Sequence, residues 1–168
     1  NKIIILFHGY RSVAENDFAA IFKWYYELGY NILLVDQRSH GRSEGKFITF
    51  GVKERHDCLT WCEFVLKEFP YVEEIILGGM SMGTTTILMA TSLNLPSKVK
   101  MIIADCGFTS PKDIITRVGS VKYGIDVTII LPLVNILSRL FAKFNIYECS
   151  AVEAMQNNKI PVLPQTVR

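Results

Sequence analysis

The sequence predicts an α/β protein: a doubly wound, mostly parallel sheet with flanking helices, forming a single domain over 1–168. Three observations predict it. Short apolar runs recur, among them Ile3-Ile4-Ile5-Leu6-Phe7, Ile32-Leu33-Leu34-Val35 and Met101-Ile102-Ile103-Ala104, as in strands covered on both faces. Segments compatible with helices separate them, at the spacing of right-handed βαβ units. The polar groups His8-Gly9, Asp36, Ser81 and Asp105 all fall where a strand would end, and sheets of this kind bind ligands at the carboxyl ends of their strands.

The first strand is read at 2–7, bounded by His8-Gly9. A helix beginning at Glu15 or Asn16 is expected to run through Leu28 and stop at Gly29. The second strand, 31–35, ends at Asp36. The polar, glycine-punctuated stretch 36–45 that follows belongs on the surface, with Arg38 and His40 tying down their own loop. A helix over about 52–69 is terminated by Pro70, and His56 on it is a surface or packing residue. Next, Glu74-Ile75-Ile76-Leu77 leads into Gly79-Met80-Ser81-Met82-Gly83 and then Thr84-Thr85-Thr86-Ile87-Leu88-Met89-Ala90. Strand, tight turn and helix in that order make Gly-x-Ser-x-Gly a nucleophile elbow: the serine sits in a strained turn, and Gly79 and Gly83 leave room for strand and helix to close. At a helix N-terminus, unpaired backbone N–H groups face any oxyanion formed at Ser81. A fourth strand, 99–104, ends at Asp105. From Gly107 to 147 the pattern loosens around Pro111, Gly119, Gly124 and Pro132, as in a cap passing over the sheet edge. Ile129, Ile130, Leu133, Ile136 and Leu137 in it either line an apolar pocket or pack. Lys159-Ile160-Pro161-Val162-Leu163 opens a fifth strand, which Pro164-Gln165-Thr166-Val167-Arg168 stops.

Composition narrows the function classes. Hydrophobic residues make up 49% of the chain and charged residues 20%, with a formal net charge of +2, which fits a folded core and gives no basic face for nucleic acid. Cys58, Cys62, Cys106 and Cys149 lack zinc or redox spacing; no metal-ligand cluster is seen and no cofactor is expected. The longest apolar stretch, 127–137, is broken by Pro132 and too short to span a bilayer. No signal peptide is visible, so a cytoplasmic location is the default expectation, and a chain that opens inside a strand looks cut from something longer.

Together, His8-Gly9-Tyr10, Asp36-Gln37-Arg38-Ser39-His40-Gly41-Arg42-Ser43, Gly79-Met80-Ser81-Met82-Gly83, Ala104-Asp105-Cys106-Gly107-Phe108-Thr109-Ser110-Pro111 and Lys159-Ile160-Pro161-Val162-Leu163 resemble the α/β-hydrolase superfamily. The likeness is closest to its bacterial branch of esterase-like or aminopeptidase-like serine hydrolases, and it covers nearly the whole chain. It implies that the first four strands correspond to the third to sixth of an eight-stranded sheet, with the seventh beginning near Ile160. It implies Ser81 as nucleophile and the backbone N–H groups of Tyr10 and Met82 as oxyanion hole. His8 and Gly9 would brace the loop, and Asp105 occupies a position that serves as the acid in some related lipases.

One part of the pattern does not fit. A serine hydroxyl needs a general base, held in its working tautomer by a carboxylate, and in this fold the order is Ser, Asp or Glu, His. Here His8, His40 and His56 all precede Ser81. The resemblance places acid and base after the seventh and eighth strands, so the chain reads as an incomplete domain with sheet edges open to an oligomeric partner. The expectation is a serine hydrolase of carboxylic esters or small amides, working through an acyl-serine. The alternative is a non-catalytic scaffold or fragment binding a small molecule or a protein.

Overall fold

In the computed structural model, which describes residues 1–165, five parallel strands form one sheet in the order β2-β1-β3-β4-β5. They are β1 (Lys2–Phe7), β2 (Tyr30–Val35), β3 (Glu74–Met80), β4 (Val99–Asp105) and β5 (Val162–Gln165). The winding reverses beside β1, which is flanked by β2 and β3, with Phe7 level with Val35 on one side and Gly79 on the other. That reversal opens a crevice at the strand ends where His8 and Ser81 emerge.

Period-two alternation divides the core. Ile3, Ile5 and Phe7 of β1 point into one cluster with Cys58, Cys62, Val65, Leu77 and Ile87. Ile4 and Leu6 point into the other, with Phe18, Tyr25, Ile76 and Ile103. Burying each such side chain contributes about 2 kcal/mol, so both faces of β1 are committed. Helices α3 (Glu54–Glu68) and α4 (Met82–Ala90) cover the first face; α1 (Ala14–Phe18) and α2 (Phe22–Glu27) cover the second. The cysteines are free, with Cys58 and Cys62 in the core.

Two expectations need correction. The first helix is two, interrupted between Phe18 and Phe22, where the Ile21 N–H turns back three residues to the Phe18 carbonyl at 3.0 Å and Ile21 has φ −116°. The last strand continues through Pro164 and Gln165 instead of stopping there. β5 pairs only with β4 among the described residues. The Ile102 N–H bonds the Pro161 carbonyl at 2.9 Å, so by alternation Pro164 directs its missing donor at the open edge, where proline is tolerated. The expected stop at Thr166-Val167-Arg168 lies outside the described residues.

Beyond β4 come α5 (Pro111–Tyr123), a run of helical turns from Thr128 to Ala142 that contains α6 (Leu131–Leu137), and α7 (Ala151–Met155). Ser110 caps α5 by accepting the Asp113 N–H, ahead of Pro111 in the first turn, a favourable start for a helix. Leu131, Ala142, Phe144 and Ile146 pack on Val52. No helix among the described residues is long and apolar enough to cross a membrane.

Candidate active site

Ser81 joins β3 to α4 with φ 51° and ψ −111°, a conformation that costs a non-glycine residue on the order of 1–3 kcal/mol and persists only where the surroundings enforce it. The flanking glycines show how. A Cβ on Gly83 would lie 1.9 Å from the Phe7 carbonyl oxygen, and one on Gly79 would lie 2.5 Å from the Thr84 nitrogen. The first turn of α4 thus rests directly on the end of β1, and the turn closes with no side chain in between. The Ser81 N–H bonds the Asp105 carbonyl at 2.9 Å, fixing the elbow to the end of β4.

Three consecutive threonines on α4 tie the helix to the ends of β3 and β4 and to two loops. Thr84 Oγ1 lies 2.7 Å from both the Gly79 and Asp105 carbonyl oxygens and accepts the Asp105 N–H at 3.0 Å. Thr85 Oγ1 donates to the Phe108 carbonyl at 2.8 Å and accepts the Phe108 N–H at 2.9 Å. Thr86 Oγ1 donates to Gln37 Oε1 at 2.9 Å. In the sequence these residues read only as helix-compatible; a run of β-branched hydroxyl residues in a buried helix is the signal of their role.

The loop after β1 is held as firmly. Asp17 accepts the Gly9 N–H and the Ser12 hydroxyl, each at 2.6 Å. His8, fully buried, accepts the Gln37 N–H at Nε2 (3.0 Å). Its proton therefore sits on Nδ1, which donates to the Gly9 carbonyl at 2.7 Å. Burial holds the His8 pKa below the usual imidazole value, a shift opposed by the Gly9 hydrogen bond and assisted by His40, so this ring is neutral. His40 is committed in the same way, accepting the Arg11 N–H at Nε2 (3.1 Å) with Nδ1 2.9 Å from the Arg38 carbonyl. His56 is exposed on α3 beside Arg55. Arg38 reaches beyond its own loop, making a two-pronged pair with Asp57 of α3.

The expected residues converge in part. Tyr10 and Ser81 line one cavity of about 460 Å³, and a Cβ on Gly9 would lie 3.5 Å from Ser81 Cβ, so the first loop lies against the elbow. Met82 opens α4, where its N–H has no partner within the helix, and the Tyr10 N–H is not engaged by its loop. Asp105 sits beside the elbow, with its carboxylate against the Cys106 thiol, which burial and that carboxylate push up in pKa. None of the three histidines bonds it among the described residues.

The cavity wall was not foreseen. Tyr10 stacks on Phe50 with ring centroids 5.6 Å apart, and Phe50 meets Phe108 edge-on at 6.4 Å. Ile114, Ile115 and Val118 of α5 close the other side, and among the described residues no charged side chain lines the space. Phe50 has φ 54° and is held by the buried Glu54 carboxylate, which accepts the Thr49 and Gly51 N–H groups at 2.8 and 2.9 Å and the Thr49 hydroxyl at 2.5 Å. Ile129, Ile130, Leu133, Ile136 and Leu137, expected either to line a pocket or to pack, are absent from the lining of the Ser81 cavity and stand exposed. Their helical turns bury the opposite face.

A family model described as serine aminopeptidase, S33, matches residues 1–160. The chain is 26% identical over 137 residues to the uncharacterized protein YqkD of Bacillus subtilis, covering 82% of this chain and 45% of that one. Among solved structures it is similar to the Pyrococcus furiosus esterase Pf2001, with TM-score 0.70, 23% identity, and 97% of this chain set against 60% of that one. It is also similar to a lipase-esterase related protein from Clostridium acetobutylicum, with TM-score 0.60 and 20% identity over 97% of this chain and 73% of the other. These structural likenesses establish the α/β-hydrolase fold. The chain spans about half the length of the curated relative it matches.

Proposed function

The chain belongs to the serine aminopeptidase S33 family of the α/β-hydrolase superfamily, and from that premise we propose that it is the Ser81-bearing part of a serine hydrolase acting on carboxylic esters or small amides with apolar acyl groups. The observation that carries this is a strained Ser81 at the wall of an uncharged, aromatic-lined cavity. Ser81 Oγ attacks the carbonyl carbon and gives its proton to a base. The backbone N–H groups of Tyr10 and Met82 take the oxyanion, an arrangement worth about 3 kcal/mol per donor in related chemistry. The leaving alcohol or amine departs with the proton, and water then releases the acid from acyl-Ser81. Segment 107–147 is the cap, with α5 as the wall facing the acyl group. Because no carboxylate among the described residues lines the cavity to receive an α-ammonium group, the reading favours an uncharged acyl group over the amino end of a peptide.

The base is none of the three histidines, since both ring nitrogens of His8 and His40 are occupied and His56 lies exposed on α3. The reading therefore assigns it to sequence outside 1–168 or to a neighbouring molecule. The same occupancy favours one rival, a scaffold that binds an acyl ligand without turning it over. Intact mass after exposure of the protein, together with whatever sequence flanks 1–168, to a fluorophosphonate separates the two. An adduct lost in Ser81→Ala supports the hydrolase, no adduct on a folded protein supports the scaffold, and an adduct that survives Ser81→Ala overturns the assignment of the nucleophile.

A further inference from the structure

The segment after α5 carries a second apolar surface, separate from the Ser81 cavity. From Thr128 to Ala142 the chain runs as consecutive helical turns, with Leu131, Val134 and Ala142 turned inward onto Val52 and Ile146. On the outside, Ile129, Leu133, Ile136 and Leu140 recur at helical spacing and are exposed, as is Phe141, with Ile129 at 84% and Phe141 at 62%. A surface helix normally turns a polar face outward; this one is apolar on both. From Val127 to Tyr147 the only charged side chains are Arg139 and Lys143. Both are exposed, and neither forms an ion pair among the described residues.

We propose that this face docks on an anionic lipid surface, lying along the interface. Lipid headgroups of negative charge neutralise Arg139 and Lys143 while the boundary of the acyl region takes up the exposed Ile, Leu and Phe side chains. A second copy of the chain fits less well, because a two-fold contact through this face sets the same two cations against their counterparts with no acidic residue from 127 to 147 to offset them. The helical run is too short to cross a bilayer, which suits a segment that lies on one. Docking does not depend on the chemistry at Ser81, so the two can fail separately.

The test is co-sedimentation of the chain with vesicles of phosphatidylglycerol and phosphatidylcholine, compared with vesicles of phosphatidylcholine alone. Binding to the anionic vesicles is expected, with Ser81→Ala binding as the parent does. Arg139→Gln and Lys143→Gln each weaken it about fivefold, and Ile136→Gln combined with Phe141→Gln weakens it about tenfold or more. These side chains are exposed, so unchanged melting curves show that the variants fold. Equal binding to neutral and anionic vesicles, or no binding to either, overturns the proposal. Absence of binding together with a dimer that the Ile136/Phe141 variant dissociates reassigns the face to self-association.

Discussion

The elbow and the segment that passes over it are built on opposite terms. In α4 all but one of the residues from Met82 to Ala90 are buried, and its first turn touches β1 through bare backbone. In α6 only Leu131 is buried, and α5 buries Pro111 and Gly119 alone. Backbone contact leaves the elbow no tolerance, whereas the overlying segment is defined by which side chains it offers to the cavity and to the outside. Under the proposed hydrolase reading, chemistry placed on the first and selectivity placed on the second can vary independently.

Substitutions probe that contrast, beginning with the harshest. Gly83→Ala puts a methyl 1.9 Å from the Phe7 carbonyl oxygen; it is expected to cost more than about 4 kcal/mol and to yield no cooperative melting transition. A variant that melts like the parent would show that the elbow can relax. Thr84→Val keeps the shape but leaves the Asp105 N–H without its acceptor, and about 2 kcal/mol of stability should disappear in urea denaturation. His8 gives a smaller, pH-dependent effect. Its folded pKa is lowered, so below the unfolded value of about 6.5 the unfolded chain binds more protons. The stabilisation is complete above that pH and declines as pH falls toward the lowered folded value. Denaturation midpoints at about pH 7.5 and about pH 5.5 should differ more in the parent than in His8→Asn. Smallest of all, Leu133→Ser on the outer face should change the melting free energy by no more than about 0.5 kcal/mol; a larger loss would mean that this face is packed after all.

The sheet was legible because β1, β3 and β4 are short apolar runs closed by glycine or aspartate, a pattern that survives without any knowledge of packing. The elbow was legible because two glycines at fixed distance from a serine record a steric requirement. The cavity wall was not. Phe50 and Phe108 lie outside helices and strands, where no periodicity marks which way a side chain faces. The turns from 128 to 142 carry apolar residues on both faces, so their pattern could not say that Leu131 turns inward while Leu133 turns out. Asp17 and Glu54 escaped notice for a related reason: each acts by accepting backbone N–H groups from a loop whose path exists only once the chain has folded.

The three α4 threonines have a further consequence for how the protein loses its shape. Because Thr84, Thr85 and Thr86 hold the strand end at Asp105, the wall residue Phe108 and the Gln37 loop from one helix, these parts cannot come loose one at a time while α4 remains in place. Local opening that spares α4 leaves the site assembled; opening that includes it exposes the central strands as well. Amide hydrogen exchange at Asp105 and Phe108 should therefore follow the slow, global class rather than the fast rates common in loops.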